Sequence, residues 1–500
     1  MNACVAIDQG TTALKIGIVS FAGEVLWSES HETTTTFGPD GRATQDADEW
    51  WRLITTSLAR GVQHVDPSTI TALCTTGMWA STVPVDEGGE PVGDAVLWLD
   101  SQGAPHSQRL IGGPIAGLKP LPALRWVRKT AGAPSPDGRD PIGHMLHLQH
   151  HGPPTARWYL EPIDQIAMRF TGVASATHAS MVASFLTDNR NLSTLVYDDD
   201  LVRMSGVDGR KLPPLTPVGS VVGTVREGLG LPPSARVVGG IPDLHAAAVG
   251  TGMVGDFDAH VAISTSSWIG CPLPFKKTDV RHQMASVPGL RTGSYILANS
   301  IEAAGRCLQW VRDALFPGRS YDELLAMAAT SPPGANGVLF TPWLLGERSP
   351  VDDHRARAGF HNVSVATTGA DLVRAVLEGV AANARLLLRH VERFCKRRID
   401  VLRIFGGGAR SDLWCQIHAD VLDRPLERVA DPVNTCMVGA ALFAGVSLGA
   451  LRWDELHSLV PVDRTFAPNP AHRATYDALA AELPTLYKTQ KGMFRRLNPA

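Results

Sequence analysis

Short apolar stretches separated by polar turns open the chain. Apolar residues dominate the segments 4–7, 16–20 and 24–28, which predicts three β-strands joined by tight turns. Residues 46–63 instead place apolar side chains, Trp50 among them, at helical spacing. Because strand and helix patterns mix from the beginning, the chain is predicted to have an α/β fold.

The opening pattern recurs in the second half of the chain. Residues 261–263 are apolar, residues 264–267 read Ser-Thr-Ser-Ser, and residues 268–270 begin an apolar return. This repetition favours two structurally similar halves. A longer amphipathic helix is predicted at 369–393, where alanine, leucine, valine and arginine follow helical spacing.

Residues 130–155 are rich in proline, glycine and histidine, which is typical of a surface loop or an insertion. The histidines there are His144, His147, His150 and His151. Their spacing is not that of a standard zinc site, and no cysteine lies near them. We therefore expect a solvated loop and not a metal centre.

The composition is that of a globular protein long enough for several domains. Hydrophobic residues make up 44% of the 500 residues, charged residues make up 19%, and the formal net charge is -3. Because no long basic block is present, we expect neither nucleic acid nor an anionic membrane surface as a partner.

No apolar stretch approaches the ~18 residues of a membrane span, and the first residues lack the order of a signal peptide. The seven cysteines are scattered, so we expect a cytoplasmic protein with reduced thiols.

Two turns are the first candidates for chemistry. Residues 8–12 read Asp-Gln-Gly-Thr-Thr, and small hydroxyl residues in a tight turn can surround phosphate oxygens. A Walker sequence is absent and a strand follows the turn, so an ordinary polar hairpin is the alternative. Residues 406–408 are three glycines between a predicted strand and a predicted helix. They would let a ligand approach the backbone, or they could serve helix packing alone.

Motifs along the whole chain together resemble those of the FGGY carbohydrate kinases. The segment 405–412 (Phe-Gly-Gly-Gly-Ala-Arg-Ser-Asp) is similar to the family's nucleotide segment. Residues 8–12 resemble its first phosphate segment, and residues 264–266 resemble its second. Asp243 stands where the family carries its catalytic acid, and residues 346–350 (Gly-Glu-Arg-Ser-Pro) are another family-like motif.

The resemblance implies two domains of the ribonuclease H-like, actin-like ATPase fold, which we place at residues 1–254 and 255–500. ATP and a small-molecule sugar would occupy the cleft between them. The chain would then be an ATP-dependent sugar kinase that transfers the γ-phosphoryl group of ATP, with Mg²⁺, to a hydroxyl of the sugar. The sequence does not fix the oligomeric state, for which a homodimer is the candidate.

The resemblance also implies roles for individual residues. Asp243 would be the general base that accepts the proton of the attacking hydroxyl, with capping of the following helix as its alternative role. Asp8 would contact the substrate or organise Mg²⁺ through water. The implied phosphate and nucleotide contacts are Thr11, Thr12, Lys15, Thr265, Gly305, Gln309, Gly407, Gly408, Ala409 and Ser411.

The implied sugar site departs from the family pattern. Its candidate residues are Asp8, Met78, Trp79, Asp100 and Asp243. Met78 and Trp79 fall where xylulokinases carry a Met-His pair and glycerol kinases an Arg-Glu pair, so Met78 favours a ketopentose such as xylulose. Trp79 could stack on a sugar face or belong to the core. Gln102 occupies the place of an arginine that often follows the Asp100 position.

Three alternatives stay open at this point. The chain could phosphorylate another ketose, a deoxy sugar or a polyol. It could also be a sugar- and nucleotide-binding regulator without turnover, or an actin-like or chaperone-type ATPase without a small substrate. The retention of Asp8, Asp243 and the glycine triplet favours an enzyme.

Overall fold

The computed structural model describes residues 2–115, 117–194 and 196–498. Its N-terminal part is built around a six-stranded sheet. The strands of this part are β1 (Ala3–Gln9), β2 (Ala13–Ser20), β3 (Val25–Glu32), β4 (Thr36–Phe37), β5 (Ala43–Gln45), β6 (Ile70–Gly77), β7 (Val83–Val85), β8 (Ala95–Val96), β9 (Gly112–Ile115), β10 (Trp158–Leu160), β11 (Ala176–Thr177), β12 (Leu215–Thr216), β13 (Val221–Thr224) and β14 (Arg236–Pro242). Its helices are α1 (Ala47–Gly61), α2 (Ala104–Ile111), α3 (Pro120–Lys129), α4 (Pro141–His151), α5 (Pro162–Thr171), α6 (His178–Met181), α7 (Asp199–Ser205) and α8 (Asp243–Gly250).

Three parallel strands form the middle of the first sheet. Its strand order is β13-β14-β6-β1-β2-β3, with β1 parallel to β6 and β6 parallel to β14. The hairpin β1–β2 and the strand β3 extend it in antiparallel fashion. Every residue of β1 is buried, since helices cover both faces of the sheet at its centre.

A second sheet organises the C-terminal part. The strands there are β15 (Ala259–Ala262), β16 (Ile269–Gly270), β17 (Pro272–Leu273), β18 (Thr278–Asp279), β19 (Met284–Pro288), β20 (Tyr295–Ala298), β21 (Leu339–Thr341), β22 (Gly359–His361), β23 (Leu402–Phe405), β24 (Leu426–Val429) and β25 (Val462–Phe466). The helices are α9 (Gly305–Leu315), α10 (Tyr321–Thr330), α11 (Gly369–Cys395), α12 (Asp412–Leu422), α13 (Thr435–Ser447), α14 (Leu456–Leu459) and α15 (Arg473–Leu497).

The second sheet repeats the plan of the first. Its order is β16-β15-β23-β24-β25, in which the hairpin β15–β16 corresponds to β1–β2. The strands β15, β23 and β24 are parallel, as β1, β6 and β14 are. The predicted recurrence of the opening hairpin is therefore confirmed, and each parallel set presents its carboxyl ends at one edge, where ligands of α/β proteins bind.

Helices α8 and α13 cross at two glycines. A Cβ on Gly250 would overlap the carbonyl oxygen of Thr435, and a Cβ on Gly439 would overlap that of Ala246. The missing side chains let the two backbones approach closely. Helix α13 also packs on β1, β2 and β6, so a helix from late in the chain covers one face of the first sheet.

The prediction of a loop over 130–155 is wrong for its second half, which forms α4. Asp140 caps this helix by accepting the backbone N–H of Gly143 at 3.1 Å, and Pro141 occupies its first turn. His144 is buried, whereas His150 and His151 are exposed. Pro141, one of the prolines that suggested a loop, instead stands at the start of this helix.

Two findings concern the described residues as a whole. They contain no helix long and apolar enough to cross a membrane. They also contain no group of three or more histidine, cysteine, aspartate or glutamate side chains placed to hold a metal ion.

Candidate active site

The site begins where the parallel strands of the first sheet end. Asp8 on β1 pairs with Thr76 on β6, and Ile241 on β14 pairs with the same Thr76. Asp243 follows β14 directly and is the first residue of α8. The register therefore brings the Asp8 and Asp243 carboxylates to one sheet edge, from the two strands that flank β6.

Gly77 ends β6 between these two carboxylates. Its φ is +152°, and a Cβ there would overlap the carbonyl group of Gln9. A residue with a side chain would push β1 and β6 apart at this point. The glycine thus lets the flanking strand ends converge.

The carboxyl group of Asp243 has a strongly raised pKa. Burial raises the pKa of its carboxyl from 3.8 to about 7, and the nearby charge of Asp8 adds to this rise. One of its oxygens, Oδ1, accepts the backbone N–H of Leu244 at 2.7 Å. A carboxylate whose pKa lies near neutrality is a better proton acceptor than an ordinary aspartate, which is what a general base requires.

Lys15 joins the first sheet to the segment that enters α13. Its Nζ lies 3.6 Å from Asp8 Oδ2 and donates a 2.9 Å hydrogen bond to the carbonyl of Val433. Cys436, one turn further on, donates its thiol to the carbonyl of Asp243 at 3.8 Å. Burial and the charges of Asp8 and Asp243 raise the pKa of this thiol, so it stays protonated beside the carboxylates.

The β1–β2 turn is fixed in shape. Gly10 N–H donates to the carbonyl of Ala13 at 3.0 Å, which closes the turn. The carbonyl of Thr11 accepts bonds from the Gln45 amide at 2.7 Å and from the Thr33 hydroxyl at 3.1 Å. Thr12 is exposed at the tip. These bonds hold the turn in one shape in the absence of any ligand, as a phosphate-binding turn requires.

Trp98 is a site residue that was not among the predicted ones. Its indole Nε1 donates to the Thr11 hydroxyl at 2.9 Å, and that hydroxyl lies 3.9 Å from the sulfur of Met78. Met78 N–H in turn donates to the carbonyl of Gln9 at 2.8 Å. The signal in the sequence was a tryptophan two residues before Asp100, which the family resemblance had placed in the sugar site.

Two of the predicted sugar contacts have their polar groups engaged within the protein. Trp79 donates its indole N–H to the carbonyl of Ser180 at 2.7 Å and stacks edge-on against His245. Only its ring face is left for a sugar. Asp100 is fully buried, and its oxygens accept the backbone N–H groups of Ala43 and Gln102 at 2.7 and 2.8 Å. It anchors the loop beneath the site, and its predicted direct contact with substrate stays a prediction.

The β15–β16 turn and the glycine triplet lie against each other in the C-terminal part. Gly406 has a φ of +99°, and a Cβ there would sit 2.6 Å from the carbonyl oxygen of Ile263. Gly408 N–H donates to the same carbonyl at 2.8 Å. On the far side of this turn, Thr265 accepts the N–H of Ala304 at 2.9 Å through its own carbonyl. Gly406 and Gly408 therefore sit where only backbone fits.

The remaining predicted nucleotide contacts surround this turn. Gly305 begins α9 and donates to the carbonyl of Ser264 at 2.8 Å, while Gln309 is exposed on the same helix. Gly407 is exposed, with open space beside its Cα. Ala409 is buried, so it could meet a nucleotide only through its backbone. Ser411 uses its hydroxyl to cap α12.

The donor set at the sheet edge fits Mg²⁺. Magnesium takes oxygen ligands and is commonly held by one or two carboxylates together with substrate phosphates. Asp8 and Asp243 provide two carboxylates, of which Asp8 is 12% exposed at its side chain. A complete cage of protein ligands is not needed for such an ion.

Comparison with known proteins agrees with this architecture. The model of the N-terminal domain of the FGGY family of carbohydrate kinases matches residues 3–130, and that of its C-terminal domain matches residues 265–448. A xylulose kinase of Staphylococcus epidermidis is 26% identical over 97% of this chain and 96% of its own length. A glycerol kinase of Lactobacillus delbrueckii is also 26% identical, over 93% of each chain. The crystal structure of a xylulose kinase from Rhodospirillum rubrum superposes with a TM-score of 0.82 at 26% identity, covering 99% of this chain and 100% of the other.

The two repeated α/β sheets have the actin-like ATPase fold. Because carbohydrate kinases match this chain over nearly its full length, the protein is an ATP-dependent sugar kinase. The chain belongs to the FGGY family of carbohydrate kinases.

Proposed function

We propose that this kinase phosphorylates a ketopentose such as xylulose, using ATP and Mg²⁺, in a cleft between units 1–254 and 255–500. Xylulose kinases are among the relatives that match across the chain. Met78 supports this acceptor as well, because it is buried below the Trp98–Thr11 pair and presents sulfur where a glycerol kinase would present arginine. The seven cysteines all have free thiols, which suits the cytoplasm.

The proposal rests chiefly on two neighbouring carboxylates, Asp8 and Asp243, at the carboxyl ends of the parallel strands β1 and β14. Asp243, with its pKa near 7, accepts the proton of the sugar hydroxyl as that oxygen attacks the γ-phosphorus. Leu244 N–H holds one carboxylate oxygen and leaves the other for the hydroxyl. Asp8 is the residue that would hold Mg²⁺, which when bound would neutralise phosphate charge.

The phosphates of ATP lie between the two turns in this proposal. Thr11, Thr12 and Lys15 approach from the first sheet, and Thr265 approaches from the second. Lys15 is already oriented by Val433, so its ammonium reaches the phosphates without a large rearrangement. Gly305, Gln309, Gly407, Gly408, Ala409 and Ser411 are the proposed contacts of the nucleoside end.

A polyol acceptor is the second candidate, since a glycerol kinase relative is as similar in sequence as the xylulose kinase relative. The absence of the Arg-Glu pair at Met78 and Trp79 disfavours glycerol itself. A regulator without turnover is disfavoured by the pKa of Asp243, which a binding protein would not require.

The test is ADP release in a coupled assay over ketopentoses, ketohexoses, deoxy sugars and polyols. We expect xylulose to stimulate the wild type, and Asp243→Asn to lose at least about two decades of kcat while still binding ATP. Asp400→Asn, which removes an exposed carboxylate far from the strand ends, is the matched control. Stimulation by a polyol alone would replace the proposed substrate class, and near-normal turnover of Asp243→Asn would remove its role as base.

A further inference from the structure

A polar pair from the C-terminal part faces the sugar side of the cleft. The Arg348 guanidinium carbon lies 5.9 Å from the centre of the Trp98 ring, and Trp98 in turn bonds Thr11 at the turn of the first sheet. Arg348 Nε lies 2.9 Å from Glu302 Oε1. The pair therefore stands opposite the Trp98–Thr11–Met78 wall, on the other side of the cleft.

Both members of the pair have unused hydrogen-bonding capacity. The Glu302 side chain is 6% exposed: its Oε1 is buried against Arg348 Nε at 2.9 Å, and its Oε2 accepts no hydrogen bond from the part of the chain that the structure describes. The Arg348 side chain is 37% exposed, and its two Nη nitrogens make no hydrogen bond to the part of the chain that the structure describes. A buried carboxylate oxygen without a proper donor is costly unless a ligand or water supplies one.

The Glu347 carboxylate fixes the backbones of both Arg348 and Glu302. Glu347 Oε1 accepts the backbone N–H of Glu302 at 3.2 Å and that of Arg348 at 3.0 Å. Asn383 donates to the other oxygen of Glu347 at 2.5 Å. This carboxylate fixes both backbones, so the two side chains are preorganised toward the cleft.

Two other polar side chains near this end already have partners within the protein. Gln102, which follows the strand end of Trp98, donates its side-chain amide to Asp40 at 2.7 Å on the exposed side. Lys15 is occupied by Val433 and Asp8. A guanidinium with free Nη groups beside an aromatic face and a carboxylate matches a sugar, whose hydroxyls both donate and accept.

We propose that Arg348 and Glu302 bind the hydroxyls of the sugar that are not phosphorylated and so determine which acceptor is used. Arg348 donates its Nη–H groups to sugar oxygens, and Glu302 Oε2 accepts a sugar hydroxyl while Oε1 keeps its contact with Arg348 Nε. This inference rests on the proposed sugar kinase function and deepens it by naming the residues that select the acceptor.

The experiment measures the KM of xylulose and of ATP, kcat and the melting temperature for Arg348→Gln, Arg348→Lys and Glu302→Gln. We expect Arg348→Gln to raise the KM of xylulose by about tenfold or more, as the loss of a hydrogen bond to a charged group would. The KM of ATP should stay within about twofold. Arg348→Lys should recover part of the loss, and Glu302→Gln should raise the same KM. Arg319→Gln, which removes an exposed arginine from the C-terminal part, is the charge control and should change nothing.

Removing Arg348 alone leaves a buried carboxylate behind and could unfold the protein. The double variant Arg348→Gln/Glu302→Gln removes both charges and leaves no unpaired buried carboxylate, so it should fold and show the raised KM of xylulose. The inference is overturned if xylulose KM is unchanged in a folded variant, or if the KM values of xylulose and ATP rise together. A wild type that turns over no sugar would refute the proposed function and the inference with it, whereas an active wild type with unaffected variants refutes the inference alone.

Discussion

Replacement of Asp243 by asparagine should stabilise the ligand-free protein while it abolishes turnover. Folding raises the pKa of the Asp243 carboxyl from 3.8 to about 7. The charged carboxylate is therefore less stable in the folded protein than in the unfolded chain. At about 1.4 kcal/mol for each pKa unit, the cost at pH 8 is at most about 4 kcal/mol. Because the side chain is partly exposed, we expect about 2 kcal/mol, which asparagine removes without losing the Leu244 bond.

The pH dependence of this gain gives it a distinctive signature. The unfolded carboxyl is charged above pH 3.8, and the folded one only above about pH 7. The advantage of Asp243→Asn is therefore complete above pH 7, declines as the pH falls toward 4, and nearly vanishes there. Denaturant unfolding of both proteins at pH 8, 6 and 4 measures it, with Asp400→Asn as a control that should show no such trend. Equal stability at pH 8, or a gain that does not shrink in acid, would show that the charged Asp243 carboxylate does not destabilise the folded protein.

The Asp243 carboxylate should also set the pH profile of the reaction. In the wild type, kcat/KM should be half-maximal near pH 7 and should fall about tenfold per pH unit in more acidic buffer. A flat profile from pH 5 to 9 would contradict a titrating base at Asp243. Lys15→Met should raise the KM of ATP severalfold with little change in melting temperature, whereas an unchanged KM would remove Lys15 from the phosphate site. Gly439→Ala should destabilise the fold by about 2 kcal/mol or more, because its methyl group would overlap the carbonyl of Ala246. Gly407→Ala, which meets open space, should unfold at nearly the wild-type denaturant concentration, and the comparison fails if the two variants behave alike.

The parts of the fold predicted from sequence are those with local signals. Two short apolar runs on either side of a turn of small polar residues mark a hairpin by themselves, and both β1–β2 and β15–β16 were found in this way. In the apolar run 95–99 only Ala95–Val96 pair as a strand, because the chain turns into the site at Trp98, and no local signal marks that turn. Helix α4 was missed because Asp140 and Pro141 are typical of loops as well as of helix starts.

The residues of the site also divide into those that a local motif reveals and those that depend on distant partners. Asp8, Asp243 and the glycine triplet stand in motifs, so their positions could be predicted. The engagement of Trp79 by Ser180 and of Asp100 by Ala43 depends on partners remote in sequence, and no local pattern reveals it. Contacts across the cleft, such as that of Trp98 with Arg348, follow only from the packing of the two parts.

The position of α13 bears on how the chain can be divided. One apolar cluster contains Ala6 and Val238 from the first sheet together with Phe405, Met437 and Leu442 from the C-terminal part. A fragment that ends at residue 254 would leave the apolar underside of β1 and β6 open to water, and it would be prone to aggregate. Each half of this protein therefore completes the interior of the other, and gene fragments encoding either half should be co-expressed if they are to yield soluble material.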